Sequence, residues 1–120
     1  MTDNKLDKFG QFFIENMIDK GIEKYYGLAK GEYNAPSLQT LQNQLSKFNP
    51  SELEVIRQLV LEVLVSASHD FLFAVQESDN TQILVDDENI AELSDGLHGE
   101  LFSESGWLKT FSSFSDQMDE

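Results

Sequence analysis

The longest apolar stretch of the chain lies in residues 53–75, where fifteen of twenty-three residues are apolar. These residues fall on every face of a helix rather than along one stripe, and a helix that is apolar all round is normally buried all round. Asn49 and Glu52 indicate its start, because they can form a capping box around a proline at the first helical position. The pattern therefore predicts a central, fully buried helix over about residues 50–77, with the other elements packed around it.

A first amphipathic helix is predicted over about residues 4–26, with Asp3 as its N-cap. Apolar residues recur at spacings of three and four, which is typical of a core-facing helix. Gly27 and Gly31 then indicate a left-handed cap or a loop. The predicted inward face holds Leu6, Phe9, Phe13 and Met17 and is widened by Ile14 and Ile18, and the opposite face holds Lys8, Glu15 and Asp19.

A short helix is predicted to start at Ser37, because serine is a preferred N-cap residue. Its connection to the central helix is so short that the two helices should pack as an antiparallel or steeply crossed pair. The predicted buried ridge is Leu38, Leu41, Leu45 and Phe48, and Gln42 is among the residues predicted to face outward.

Beyond residue 70 the pattern allows two interpretations, since residues 70–75 fit either a continued helix with Phe71, Ala74 and Val75 inward or a strand. We favour the helix. The short apolar runs at 83–85 and 90–93 predict a β-hairpin near residues 82–93, although a helix capped by Asp86 or Asp87 also fits. Glycines at 96 and 99 favour the hairpin, followed by a short helix capped by Ser94.

A final helix is predicted around Trp107, Leu108, Phe111 and Phe114, which recur at helical spacing. The chain of 120 residues is long enough for one core, so we predict a single, mainly α-helical domain over residues 1–120. The acidic segment 116–120 is predicted to be a frayed tail.

Charge is distributed unevenly along the chain, which carries a net charge of −14. Residues 1–60 have eight acids and seven bases, whereas residues 61–120 have fourteen acids and a single base, Lys109. A negative field repels nucleic acid and anionic membranes and attracts basic partners. There is no cysteine, and the N-terminus lacks the basic and apolar regions of a signal peptide. We therefore predict a cytoplasmic protein that binds neither nucleic acid nor membrane.

The run SDGLHGELF at residues 94–102 is followed by a Gly-Trp pair at 106–107 and a Phe-Ser pair at 111–112. This pattern resembles that of small acidic bacterial proteins of unknown function. The resemblance implies a bacterial origin and brings no assigned activity.

The sequence around the two histidines, His69 and His98, does not predict a catalytic or metal site at either of them. His69 and Asp70 are neighbours on a predicted helix, where adjacent side chains diverge by about 100°, so they should not support each other. Asp95 and His98 are spaced to share a metal, but a second such motif is missing. Residues 77–88 have the length of a calcium loop, but Gln82 occupies the position that requires glycine. We predict no catalytic residue, metal or cofactor.

The leading functional hypothesis is a non-enzymatic acidic protein that docks a basic protein partner, in concrete form an immunity-type protein or inhibitor of a cationic toxin or nuclease. The acidic residues would provide the negative field that attracts the partner. Phe102 or Trp107, if exposed, would provide the aromatic anchor of the interface. The predicted partner-binding residues are Glu88, Glu92, Asp95, His98, Glu100, Phe102 and Trp107.

Two other hypotheses remain open. One is a small metal-dependent enzyme that uses Asp95, His98 and Glu100 together with Asp70 or Asp86. The other is a self-associating structural domain, a homodimer held together by exposed aromatic side chains.

Overall fold

A computed structural model describes residues 4–118 of the chain. The fold is mainly α-helical with one short β-hairpin, as the sequence predicts. The α-helices are α1 (Lys5–Phe13), α2 (Asp19–Lys30), α3 (Pro36–Leu45), α4 (Pro50–Glu77) and α5 (Trp107–Phe111), and the strands are β1 (Leu84–Val85) and β2 (Glu88–Asn89). A π-helical segment, Ile14–Ile18, joins α1 to α2, and 3₁₀ turns span Ile90–Leu93, Leu97–Leu101 and Ser115–Gln117.

The core is centred on the continuous helix Lys5–Lys30 rather than on α4. This first helix buries Leu6, Phe9, Phe13, Ile14, Ile18, Ile22 and Tyr25, whereas α4 buries Ser68, Leu72 and Val75. The prediction of a central helix buried on every face is therefore wrong. The reason is that α4 packs on α2 and on the 3₁₀ turn Leu97–Leu101 with one side, while its opposite side faces solvent.

Phe71 and Ala74, which were expected to point inward, lie on this solvent side of α4. Val75 does point inward, and the helix continues to Glu77 instead of becoming a strand. The predicted start of α4 is confirmed. The Asn49 side chain accepts a hydrogen bond from the Glu52 N–H at 2.8 Å, and the Glu52 carboxylate accepts one from the Asn49 N–H at 2.9 Å.

The π-helical segment changes which residues of the first helix face the core. A π turn adds about one residue to an α-helix and so rotates everything after it by about 100°. Met17 was predicted to face inward but is 46% exposed, whereas Ile14 and Ile18, which were predicted to widen the inward face, are fully buried. Asp19 was predicted to face outward but is 4% exposed. Both predictions assumed an uninterrupted helical period.

The buried carboxylate of Asp19 holds the segment that follows α5. The Ser112 hydroxyl donates to Oδ1 of Asp19 at 2.6 Å, and the Ser113 N–H donates to Oδ2 at 2.8 Å. The same Ser112 hydroxyl accepts from the Phe114 N–H at 3.0 Å. These bonds satisfy a buried charge and connect the C-terminal residues to the first helix.

The α2–α3 connection differs from the prediction in its caps. Gly31 ends α2 in the left-handed conformation, with φ of 71°, which is one of the two alternatives predicted for this glycine. The helix continues to Lys30 rather than ending at about residue 26, so Gly27 lies inside it. However, α3 begins at Pro36 with Ala35 as N-cap, so Ser37 lies inside the helix. Gln42 is buried rather than outward, because its side-chain amide forms two hydrogen bonds with the Tyr33 backbone. The amide oxygen accepts from the Tyr33 N–H, and the amide nitrogen donates to the Tyr33 carbonyl.

The predicted ridge of α3 is buried only in part. Leu45 is buried, and Leu38 is half-buried. Leu41 and Phe48, by contrast, are exposed. The face of α3 that packs against the rest of the protein is therefore narrower than its apolar spacing predicts.

The predicted hairpin is present, and it pairs Leu84 with Asn89 and Val85 with Glu88. Its second strand is therefore Glu88–Asn89, whereas the run at residues 90–93 that was expected to pair forms a 3₁₀ turn. Asp86 and Asp87 both have positive φ, at 51° and 71°. This is the backbone of the two-residue turn that matches the twist of paired strands, and aspartate tolerates it better than most residues.

A 3₁₀ turn, rather than a regular α-helix, follows the hairpin region at Leu97–Leu101, with Gly96 as its N-cap. Ser94 does not cap it; its hydroxyl accepts from the Gly96 N–H. At the end of the described chain, Met118 is buried. Asp116 is exposed, but Asp116 and Gln117 belong to a 3₁₀ turn and Met118 is buried, so this part of the predicted tail is folded rather than frayed. Residues 119–120 of the predicted tail lie outside the described residues, as does the predicted cap Asp3. Asn4 caps α1.

Candidate interaction surface

One side of α4 exposes a row of apolar side chains. Val55, Leu59 and Val63 are 64%, 61% and 56% exposed. They follow one another at steps of four residues, and the exposed residues Ala67 and Phe71 continue the same row. Rows of this spacing form the ridges with which helices pack against each other. We call Val55, Leu59, Val63, Ala67 and Phe71 the α4 ridge.

Acidic residues border the α4 ridge. Successive residues of an α-helix are rotated by about 100° about the helix axis. This rotation defines the arc around the axis over which the ridge residues point, and it places Glu52, Asp70 and Glu77 within that arc and Glu62 at its edge. All four are exposed. The surface therefore combines a long apolar row with negative charge.

The one basic residue of α4, Arg57, lies outside this arc. Its guanidinium donates to both carboxylate oxygens of Glu54, at 3.0 and 2.7 Å, and to the Gln117 side-chain oxygen at 2.6 Å. The bidentate hydrogen bonds from Arg57 lower the pKa of the Glu54 carboxyl to about 2. Arg57 is thus committed to contacts within the protein.

We expect the Glu54 carboxyl to titrate at about pH 2 in a pH series of side-chain carboxyl NMR shifts. Because its pKa is lowered in the folded state, the pair stabilises the fold above the ordinary value of 4.5 and loses this effect as the pH falls to about 2. Arg57→Gln should return the midpoint towards 4.5, and Lys47→Gln should leave it unchanged. A wild-type midpoint near 4.5 would contradict the hydrogen-bonded pair.

The acids of the hairpin are partly neutralised by α1. Lys5 lies 2.6 Å from the Glu88 carboxylate, and Lys8 lies 3.1 Å from that of Asp86. Glu88 was predicted to contribute to a free negative field, and this ion pair reduces its contribution. These contacts also position the hairpin over the first helix.

Among the other predicted acids, Glu92 and Asp95 are exposed, and Glu100 is half-buried. The Glu100 carboxylate accepts the Ser94 hydroxyl at 2.6 Å. Of these three acids, Glu92 and Asp95 are accessible to a partner, whereas the Glu100 carboxylate has a hydrogen-bond partner within the protein.

The predicted aromatic anchors have different environments. Trp107 is only 2% exposed, and its ring packs edge-on against Phe9 with centroids 5.8 Å apart. It therefore belongs to the core, and the exposure that its role as an anchor required is not present. Phe102 is 41% exposed and remains accessible.

His98 and His69 come together, which their separation in sequence did not suggest. Their rings pack edge-on with centroids 5.2 Å apart, and Phe73 packs edge-on against His98 at 4.9 Å. Phe102 lies 6.0 Å from His69. His98 is half-buried, and its Nδ1 has no hydrogen-bond partner within residues 4–118. The group connects α4 to the Leu97–Leu101 turn.

His69 and Asp70 contact each other, contrary to the prediction, with Nδ1 and Oδ1 3.1 Å apart. The neighbouring serines do not complete a catalytic site. Ser66 donates to the Glu62 carboxylate, and the Ser68 hydroxyl is buried, so neither is positioned as a nucleophile for His69. The metal-enzyme hypothesis requires His98 to converge with two carboxylates, and no such group of three ligands occurs in the described part of the chain.

Helix α4 is also the one helix within residues 4–118 that is long and apolar enough to cross a membrane, judged by length and composition alone. The mean hydropathy of its most apolar 18 residues is 1.4, and 17% of that window is buried. A spanning position would require Leu72 and Val75 to leave the core. The absence of membrane binding and the cytoplasmic location remain predictions.

No protein-family model, curated protein or solved structure matches this chain.

Sequence reasoning missed the α4 ridge, although its signal is present in the sequence. The four-residue steps from Val55 to Phe71 were interpreted as part of an all-round apolar surface. Acids at 52, 62, 70 and 77 interrupt that surface on one side, and this interruption is the signal that the side meets water.

Proposed function

We propose that the protein is a non-enzymatic acidic binding protein that docks a basic protein partner. In its concrete form it is an inhibitor or immunity-type protein that masks a cationic toxin or nuclease. The observation that carries this proposal is the excess of exposed acids between residues 58 and 108, a segment with eleven acids and no lysine or arginine.

The contacts within the protein leave most of this charge available. Among the described residues, lysine ion pairs involve two of the eleven acids, Asp86 and Glu88. Glu92 and Asp95 are exposed and follow the hairpin closely in the chain. Opposite fields raise association rates strongly at low salt, which suits a protein that must reach a basic target quickly.

Reversing Glu92 and Asp95 to lysine is expected to slow association with the partner by about tenfold at low salt, because both charges contribute to long-range attraction. Immobilised wild type would capture the partner from a lysate of the source organism, and mass spectrometry would identify it. Association rates of the purified partner would then be measured by surface plasmon resonance at several salt concentrations.

The matched control reverses Glu23 and Glu32, which are exposed acids of the N-terminal half. This control changes the net charge by the same amount but lies outside the acidic segment of residues 58–108. Its association rate should therefore fall less than that of Glu92→Lys/Asp95→Lys. A captured partner that is not basic, or rates that salt does not change, would refute the proposal.

A further inference from the structure

The α4 ridge exposes large apolar side chains along most of the helix. Val55, Leu59, Val63 and Phe71 of the ridge are each about half exposed, as is Phe73 of the same helix. Half-buried Ile56 and Val60 add to this apolar surface. Apolar side chains exposed together on a folded protein are typical of an interaction site.

The shape of the surface fits a helix. α4 has 28 residues and is therefore about 42 Å long. The ridge runs along it at four-residue steps, and the commonest packing of two helices places such ridges in each other's grooves. An amphipathic helix laid on an apolar row is also a recurring way of recognising a partner.

The acidic residues on and beside the α4 ridge indicate which kind of partner can bind there. Glu52, Asp70 and Glu77 lie within the arc of the ridge and Glu62 at its edge, and Arg57 is turned away towards Glu54. A second copy of this chain would place acids against acids. A membrane-surface helix usually has lysine and arginine along its polar face, and this arc has acids instead. A helix bordered by lysine or arginine would place positive charge beside these exposed carboxylates.

We propose that the α4 ridge is the docking site for a basic amphipathic helix of the partner protein. This inference rests on the proposed function and adds the place and the mode of binding. The apolar row supplies the contact area. The carboxylates of Glu52, Glu62, Asp70 and Glu77 favour a partner helix whose apolar stripe is flanked by lysine or arginine.

The test uses two synthetic 28-residue helical peptides with the same apolar stripe, one flanked by lysines and the other by glutamates. We expect the lysine peptide to bind the full-length protein at least about tenfold more tightly in isothermal titration calorimetry. Leu59→Gln/Val63→Gln should weaken this binding at least about tenfold, because glutamine keeps the helix but removes apolar contact.

Two matched controls accompany these variants. Leu84→Gln/Leu93→Gln changes two exposed leucines outside α4 and should leave the affinity within about twofold. Glu62→Gln/Glu77→Gln should weaken lysine-peptide binding more than Glu23→Gln/Glu32→Gln, which removes the same charge elsewhere. Circular dichroism would establish that every variant is folded.

The outcomes separate this inference from the proposed function. If the lysine peptide binds in a salt-sensitive way and Leu59→Gln/Val63→Gln does not change this binding, the docking site is overturned but the proposal of a basic partner stands. If the two peptides bind equally and the same variant abolishes their binding, the charge preference is refuted but the ridge remains a binding surface.

Two further results would assign the ridge to another occupant. One is a dimer in analytical ultracentrifugation that Leu59→Gln/Val63→Gln converts to a monomer. The other is co-sedimentation with phosphatidylcholine vesicles that the same variant abolishes. Either result would overturn the inference, as would failure of both peptides to bind.

Discussion

Asp19→Ala is expected to lower the free energy of unfolding by about 3 kcal/mol. The substitution removes the acceptor of two short hydrogen bonds, from the Ser112 hydroxyl and the Ser113 N–H. Ser112 is buried, so its hydroxyl would be left without its acceptor, and hydrogen bonds to a charged group are among the stronger ones. Urea unfolding followed by circular dichroism would measure the change.

Asp19→Asn should give an intermediate loss, because the amide keeps one acceptor oxygen but turns a second donor towards the other bond. Glu23→Ala removes an exposed carboxylate four residues further along the same helix and should change the free energy by less than about 0.5 kcal/mol. If Asp19→Ala were as stable as Glu23→Ala, the buried carboxylate would not be holding the C-terminal segment.

Gly10→Ala is expected to destabilise the protein by about 2 kcal/mol, although alanine is the better helix former by about 1 kcal/mol. A β-carbon at this position would overlap the Trp107 indole. The ring cannot move easily, because Trp107 is almost fully buried and packs against Phe9. Thermal and urea unfolding would measure the loss, and the single tryptophan of the chain provides a fluorescence signal at the site itself.

Gly99→Ala is the matched control, since a β-carbon there meets no atom within 4 Å. It should change stability by less than about 0.5 kcal/mol. In a double-mutant cycle, Gly10→Ala should cost less in the Trp107→Phe background, where the smaller ring leaves room. Additive effects of the two substitutions would show that Gly10 and Trp107 do not restrict each other.

Much of the local structure could be predicted from the sequence because neighbouring residues decide it. Asn49 and Glu52 form their capping box, Gly31 ends α2 in the left-handed conformation, and the two aspartates at 86–87 form the hairpin turn. Each of these features depends on backbone geometry within four residues. The mainly helical fold follows from such signals.

The surface properties of the helices could not be predicted in the same way. Residues 53–75 are apolar on every face, but a helix is buried only where another element covers it, and composition cannot show which side is covered. The candidate interaction surface was therefore assigned to the acids and His98 within residues 88–100, with Phe102 or Trp107 as the anchor. The folded chain instead leaves the α4 ridge open and buries Trp107.

Residue types and short spacings were enough to predict the mainly helical fold, the capping box of α4, a short hairpin and the uneven charge. Which faces of the helices are buried depended instead on how the elements pack in the folded chain. The π-helical segment rotates Asp19 into the core and Met17 out of it, and one-sided packing exposes the α4 ridge. Both results depend on contacts between residues far apart in the chain, such as Asp19 with Ser112, and no local pattern encodes these contacts.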